Sequence, residues 1–174
     1  MSIETQPVTR NNLSQLGLSF TLERAPNLVY HVTRVTLPEV SLSKVEVPTP
    51  FKLANFEADK LTYGDLAVTF KVDEEMANWA EIYDWMVGIG FPNQFDQKRL
   101  LVEKGRESLG RGVTSTASLI VMTSAKNPNI EFRFNNIIPL SLSSLDFTSE
   151  GTDVEYLEAT VVFDYQDFEV FKLK

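Results

Sequence analysis

Leu66-Ala67-Val68-Thr69-Phe70-Lys71-Val72 puts Leu66, Val68, Phe70 and Val72 on one side of an extended chain and Ala67, Thr69 and Lys71 on the other. Successive side chains of a strand point to opposite faces, so this stretch predicts a strand with one buried face. The period then changes. Met76, Trp79, Ala80, Tyr83, Met86 and Val87 recur at spacings of three and four, the repeat of an amphipathic helix, and the expected helix spans 74–87. Asp73 suits its N-cap, because a carboxylate accepts from the free backbone N–H groups there. Glu74 and Glu75 fall in the first turn, where negative charge favours the helix dipole. Gly88, Gly90 and Pro92 supply the stop. Trp79 belongs to the inner stripe, while Trp85 is turned toward the opposite edge with Ile82 and Ile89. A helix apolar over most of its circumference is either a core helix or one partly covered by another subunit.

Upstream, Leu28 to Leu37 is dense in β-branched and aromatic residues and reads as a strand ended by Pro38. Val40, Leu42, Val45 and Val47 form a second strand, and the 42-to-45 spacing implies a bulge. Pro48-Thr49-Pro50 stops it, and 51–60 reads as an exposed loop or hairpin carrying Phe51, Leu53 and Phe56. Residues 1–18 are polar and read as an N-terminal arm, either disordered or ordered against a neighbouring subunit; 19–174 form a single domain. Downstream, 93–112 is polar, charged and glycine-containing, and reads as a long loop. Thr114 to Thr123, Ile130 to Asn135, Leu140 to Phe147 and Tyr156 to Tyr165 read as strands, followed by an apolar tail at Phe168, Val170 and Phe171. The expectation is six to eight strands and one helix without βαβ alternation: a mainly β, α+β chain, an antiparallel β-sandwich or barrel with one flanking α-helix.

The chain has 174 residues, 43% hydrophobic and 23% charged, ordinary for a globular protein and against wholesale disorder. Its net charge is −8, whereas gripping nucleic acid by its phosphates calls for a surplus of Lys and Arg. There is no cysteine, which removes disulfides and thiolate metal sites. Met1 to Arg10 is too polar for a secretory signal, and no apolar run approaches the about 18 residues of a membrane helix, so no membrane insertion is expected.

No constellation for catalysis, metal or cofactor emerges. His31, the sole histidine, sits within a strand pattern. Asp73-Glu74-Glu75 is explained by capping. Glu150 to Asp153 lacks the acidic spacing of a calcium loop. Gly105 to Gly112 echoes a phosphate loop, but Arg111 and Gly112 replace its Lys and Ser/Thr, and a strand rather than a helix follows. The expectation is therefore no enzyme and no cofactor. What is in surplus is apolar surface: Phe51, Leu53 and Phe56 in the loop, Trp85 on the helix, and Phe168 and Phe171 in the tail. Such surplus marks interaction sites, and open strand edges require partners. A ring of identical subunits answers both, with those six residues at the subunit interface.

Val35-Thr-Leu-Pro-Glu-Val40, Val45-Glu-Val-Pro-Thr-Pro-Phe51 and Asp59-Lys-Leu-Thr-Tyr-Gly-Asp-Leu-Ala-Val-Thr-Phe-Lys-Val-Asp-Glu-Glu75 resemble the tail tube proteins of contractile-tailed bacteriophages. The helix with Trp79 and Trp85 and the strand Ala159 to Gln166 fit the same layout, so the resemblance covers roughly 25–170. It implies a virion structural protein forming hexameric rings of a tail tube, assembled in the host cytoplasm, with a lumen lined by all six subunits. It further implies that the loop near 48–60 reaches toward an adjacent ring, that sheath, baseplate or neck proteins are partners, and that DNA passes during ejection without specific binding. An acidic lumen would repel DNA, in keeping with the net charge. Tube-terminus and baseplate-adaptor rings and the secreted tube proteins of type VI systems share the fold. The N-terminal arm and the 93–112 loop depart from a minimal tube subunit, which leaves the station along the tail open. A more distant alternative is a carbohydrate-binding β-sandwich that would use exposed aromatics such as Tyr63, Phe91 and Phe95.

Overall fold

The alternating stretch is strand β5 (Leu66–Lys71), with Leu66, Val68 and Phe70 fully buried. In the computed structural model, which describes residues 12–13, 15, 17–90, 95–109, 112–148 and 155–173, β5 is flanked on both sides. One neighbour is β8 (Glu158–Asp164), with Val68 opposite Val161; the other is β2 (Val32–Thr36), with Val35 opposite Val68. β8 also pairs with the C-terminal half of the long strand β7 (Pro128–Leu142). The N-terminal half of β7 pairs instead with β6 (Ser115–Met122) and β9 (Asp167–Lys172), and β6 pairs with β1 (Leu18–Leu22). All these pairings are antiparallel.

β7 thus serves two sheets, β1–β6–β7–β9 and β7–β8–β5–β2. Its change of partner falls at Asn136, whose φ of 53° lies in the left-handed region that Asn tolerates better than most residues. A strand that bends from one sheet into another makes a corner of a β-sandwich. The core lies between the sheets. Phe20, Leu22, Leu119 and Phe134 come from one, and Leu66, Val68, Phe70, Val161 and Phe163 from the other. The mostly antiparallel β architecture with a helical flank is the one the sequence implies.

Several elements differ from the sequence reading. Helix α1 (Pro26–Val29) replaces the start of the Leu28–Leu37 strand. Proline presets the helical φ at a first helical position, and Leu28 is fully buried beneath that single turn. The main helix α2 (Ala77–Gly90) begins three residues later than 74. Met76 at φ 54° interrupts the run, and Asp73 and Asn78 pair reciprocally, each backbone N–H donating to the other's side-chain oxygen at 3.4 Å. Glu74 and Glu75 therefore precede the helix. Its buried stripe is Asn78, Ile82, Trp85 and Gly88, while Trp79 is half-buried and stacks on exposed Tyr83 at 5.1 Å. The two tryptophans have exchanged the roles expected of them.

The flank also holds a second long helix, α3 (Phe95–Leu109), where a loop was expected. Its polarity misled, because that polarity is the exposed face of a helix: Arg99 faces Asp96 and Glu103 at 3.5 and 3.7 Å, three and four residues away. Only Leu101, Val102 and Gly105 of its described side chains, with Gln97, turn inward. The N-terminal arm lies mostly outside the described residues.

Candidate assembly surfaces

β3 (Val40–Pro48) and β4 (Leu53–Tyr63) pair only with each other among the described residues, and every residue of β3 is exposed. The expected bulge is present as a register shift between Leu42 and Lys44. Cross-strand neighbours sort the hairpin's side chains. Val45 faces Phe56 and Val47 faces Ala54, while Lys44 faces Glu57 and Glu46 faces Asn55. Nearer the base, Val40 faces Tyr63 and Leu42 faces Leu61. Each half therefore has a wholly apolar side, and Lys44 and Glu46 pair at 2.7 Å on the polar side of the outer half. Phe51 at the tip is 98% exposed, and Leu53 and Phe56 are more than half exposed.

The base of this hairpin is fixed to the body. The Gly64 N–H donates to the Glu39 carbonyl at 2.8 Å, and the Tyr165 hydroxyl donates to the Gly64 carbonyl at 2.9 Å. Burial, then the negative charge of neighbouring acidic groups, pushes the Tyr165 hydroxyl up to about 12. Tyr63 packs edge-on against Phe168 at 5.3 Å, and Phe168 packs with Phe134 and Phe132. The hairpin is rigidly rooted at one end and uncovered along its length.

The β1–β6–β7–β9 sheet provides the second surface. Its inner side carries Phe20, Leu22, Leu119 and Phe134; its outer side is polar. Thr21, Ser118, Arg133 and Glu169 follow one another across all four strands. Glu131 accepts from the Ser118 hydroxyl at 3.0 Å and from Arg133 at 3.2 Å, and Arg133 lies over the Phe171 ring at 4.9 Å. The outer edges of β1 and β9 have no strand partner among the described residues. Neither reads as a strand in the sequence, where the β9 segment stands out only as an apolar tail at Phe168, Val170 and Phe171. β1 is only five residues long, and the alternation of β9 is broken by Phe171, which lies on the polar side with Glu169.

Of the six interface residues expected from sequence, Phe51, Leu53 and Phe56 all lie on the hairpin, Phe56 on its apolar face and Leu53, opposite Pro48, on the face of Lys44 and Glu46. Trp85 does not belong with them: it is 2% exposed, its indole N–H donates to the Val113 carbonyl at 2.9 Å, and it has no surface to offer another chain. Phe168 is largely spent in its own chain's aromatic cluster, whereas Phe171 is 39% exposed. Tyr63 and Phe95 lie on separate elements, the hairpin and α3, and Phe91 is outside the described residues. His31 lies in the turn before β2 rather than within a strand; it is exposed and bonded through its backbone. No group of three or more metal-type side chains gathers among the described residues. The segment from Gly105 to Leu109 is helical, and Glu150 to Asp153 lie outside the described residues.

No family model matches the chain, and no curated protein matches it. Solved structures do. The tube-terminating cap of the anti-feeding prophage is 11% identical, with 99% of this chain aligned to 100% of that one at a TM-score of 0.63. The sheath-tube complex of the extracellular contractile injection system PVC contains a chain 10% identical, covering 94% of both at 0.60. Hcp1 from Flavobacterium johnsoniae is 10% identical, covering 89% of this chain and 94% of its own at 0.51. At such identities the likeness is one of fold, and the fold this chain shares is that of tube and tube-terminating proteins of contractile injection systems.

Proposed function

We propose that the chain is a structural ring subunit of a contractile-tail tube, acting by self-assembly rather than catalysis. Six copies close edge to edge through β1 and β9, and rings stack through the β3–β4 hairpin. The observation that carries this reading is the hairpin itself. A two-stranded ribbon is marginal in water, and this one exposes Val40, Leu42, Val45, Val47, Leu53, Phe56 and Leu61. Covering it with a sister subunit removes that apolar surface from water. The polar outer side of the β1–β6–β7–β9 sheet then lines the channel, presenting Glu131, Asp167 and Glu169 against Arg133. A channel of this charge lets DNA pass during ejection without holding it. Sheath, baseplate or neck proteins are its neighbours, in a virion tail or tail-like particle assembled in the host cytoplasm. A tube-terminating ring is the second reading, favoured by the end-to-end likeness to the anti-feeding prophage cap.

The test is native mass spectrometry of the purified chain beside a variant carrying Val45→Asp and Phe56→Asp. The expected result is a hexamer, and stacks of it, in the parent. The variant should lose stacking while keeping the parent's melting temperature, because both positions are exposed. A monomeric parent would refute the reading.

A further inference from the structure

Helices α2 and α3 touch where Gly88 allows it; a Cβ there would lie 2.9 Å from Leu101 Cβ and Cδ2. Beside that contact a cavity of about 530 Å³ opens between the helices and the end of β1. This lies within the range of about 300–1,000 Å³ of pockets that accept ligands. Trp85, Val87, Leu100 and Leu101 supply its apolar lining, with Leu100 53% exposed. Three carboxylates, Glu23, Glu81 and Asp84, and two cations, Arg24 and Lys104, also line it. Arg24 lies over the Trp85 ring at 5.3 Å and donates to the Gly112 carbonyl at 2.8 Å, and Lys104 has contacts of its own. Glu81 is held by the Asn27 backbone and side chain at 3.2 and 2.7 Å. Glu23 and Asp84 are exposed. The cavity is an apolar slot with negative charge at its surface.

The hairpin tip has the opposite character. Phe51 is almost wholly exposed and is followed by the exposed cation Lys52. Thr49 and Lys52 close the turn: both the N–H and the hydroxyl of Thr49 bond to the Lys52 carbonyl, and the Lys52 N–H returns to the Thr49 hydroxyl at 3.2 Å. The tip is therefore preorganised, which lowers the entropic cost of docking. An aromatic anchor entering a pocket beside a complementary charge is the usual form of an interface hot spot.

We propose that Phe51 and Lys52 of one copy dock into the α2–α3 cavity of another, Phe51 against Leu100 and Leu101, and Lys52 facing Asp84 and Glu23. This rests on the self-assembly reading and gives it a receiving site. Another apolar hollow, about 390 Å³ and lined by Trp79, Tyr83, Met86 and Leu142 among others, has no charged lining residue. An ammonium group brought there would lose water without gaining a partner.

The chain has no cysteine, so engineered thiols report cleanly. Lys52→Cys and Asp84→Cys are introduced into separate chains, which are mixed and oxidised. The mixed covalent dimer should exceed that formed by Lys52→Cys with Leu142→Cys about tenfold, since thiols whose Cα atoms lie beyond about 7 Å do not bridge. Adding Phe51→Ala to the Lys52→Cys chain should lower the yield by about tenfold, the loss expected for one buried aromatic. Assemblies that form without this cross-link, or that cross-link through Leu142→Cys instead, overturn the docking site and leave the ring reading intact. Chains that stay monomeric overturn both.

Discussion

Trp85 has Phe163 at 6.3 Å on the core side, the Arg24 guanidinium over its ring, and the Val113 carbonyl at its indole N–H. Truncating it to alanine empties the junction between α2 and both sheets and leaves Arg24 without its aromatic support. Trp85→Ala should cost about 3–5 kcal/mol, read as a lowered urea midpoint. Lys126 is a simpler case. It is exposed, sits at φ 60° and lies in the turn between β6 and β7, where its N–H donates to the Thr123 carbonyl. Lys126→Gly removes the left-handed penalty and should raise stability by about 0.5–1 kcal/mol in thermal melts. Tyr165 carries a pH signature. Its hydroxyl is raised to about 12 from 10.0, so the folded chain favours the neutral phenol. That contribution is complete below pH 10 and is lost as pH rises from 10 toward 12. Tyr165→Phe should lower stability at neutral pH by about 0.5–1.5 kcal/mol, from the lost bond to Gly64, and flatten alkaline unfolding between those limits. At this scale the exposure of Phe51, Leu53 and Phe56 is legible, because nothing around them in the sequence gives them a core to enter. The Trp79 and Trp85 assignments are not. Both fit a helical stripe, and only the Asp73–Asn78 pairing and the packing on Phe163 decide which faces inward.

The α2–α3 pair depends on a small residue at its contact. Alanine at Gly88 improves helix propensity by about 1 kcal/mol, but its methyl would lie 2.9 Å from the Leu101 side chain. Gly88→Ala should therefore cost about 1–2 kcal/mol net and loosen α3 specifically. Hydrogen exchange should quicken across 95–109 while β5 and β8 keep their protection; uniform loosening of the whole chain would contradict the packing account. The elements legible in the sequence are those with a clean period. Leu66 to Val72 alternates because one side faces the core; α2 is legible as a helix from its spacing, but its core-facing stripe is Asn78, Ile82, Trp85 and Gly88, and the repeat through Trp79 and Tyr83 lies on its half-buried to exposed side. α3 has the composition of a loop because it buries only a narrow strip, leaving its charged face to dominate. β1 and the tail at 168–171 do not read as strands because they are short edge strands whose register is set by β6 and β7 rather than by their own pattern. These two edges are also the parts that the ring reading needs most.

For the molecule as a whole, a net charge of −8 and a surface rich in exposed apolar side chains pull in different directions. In the ring we propose, charge keeps copies apart, while the hairpin and the open edges draw them together. Salt screens exposed charges over about 8–10 Å at 0.1–0.15 M, so assembly should strengthen, not weaken, between low and physiological ionic strength in light scattering. Weakening would mean that ionic contacts rather than apolar burial hold the particle together. The central claim is that this chain completes its surface only with copies of itself. Sedimentation velocity over a dilution series of the unmodified protein tests it most directly. The account predicts a discrete species of six chain masses, with larger stacks as concentration rises. A single 19.7 kDa species persisting to about 100 µM, with the hairpin folded, would contradict it.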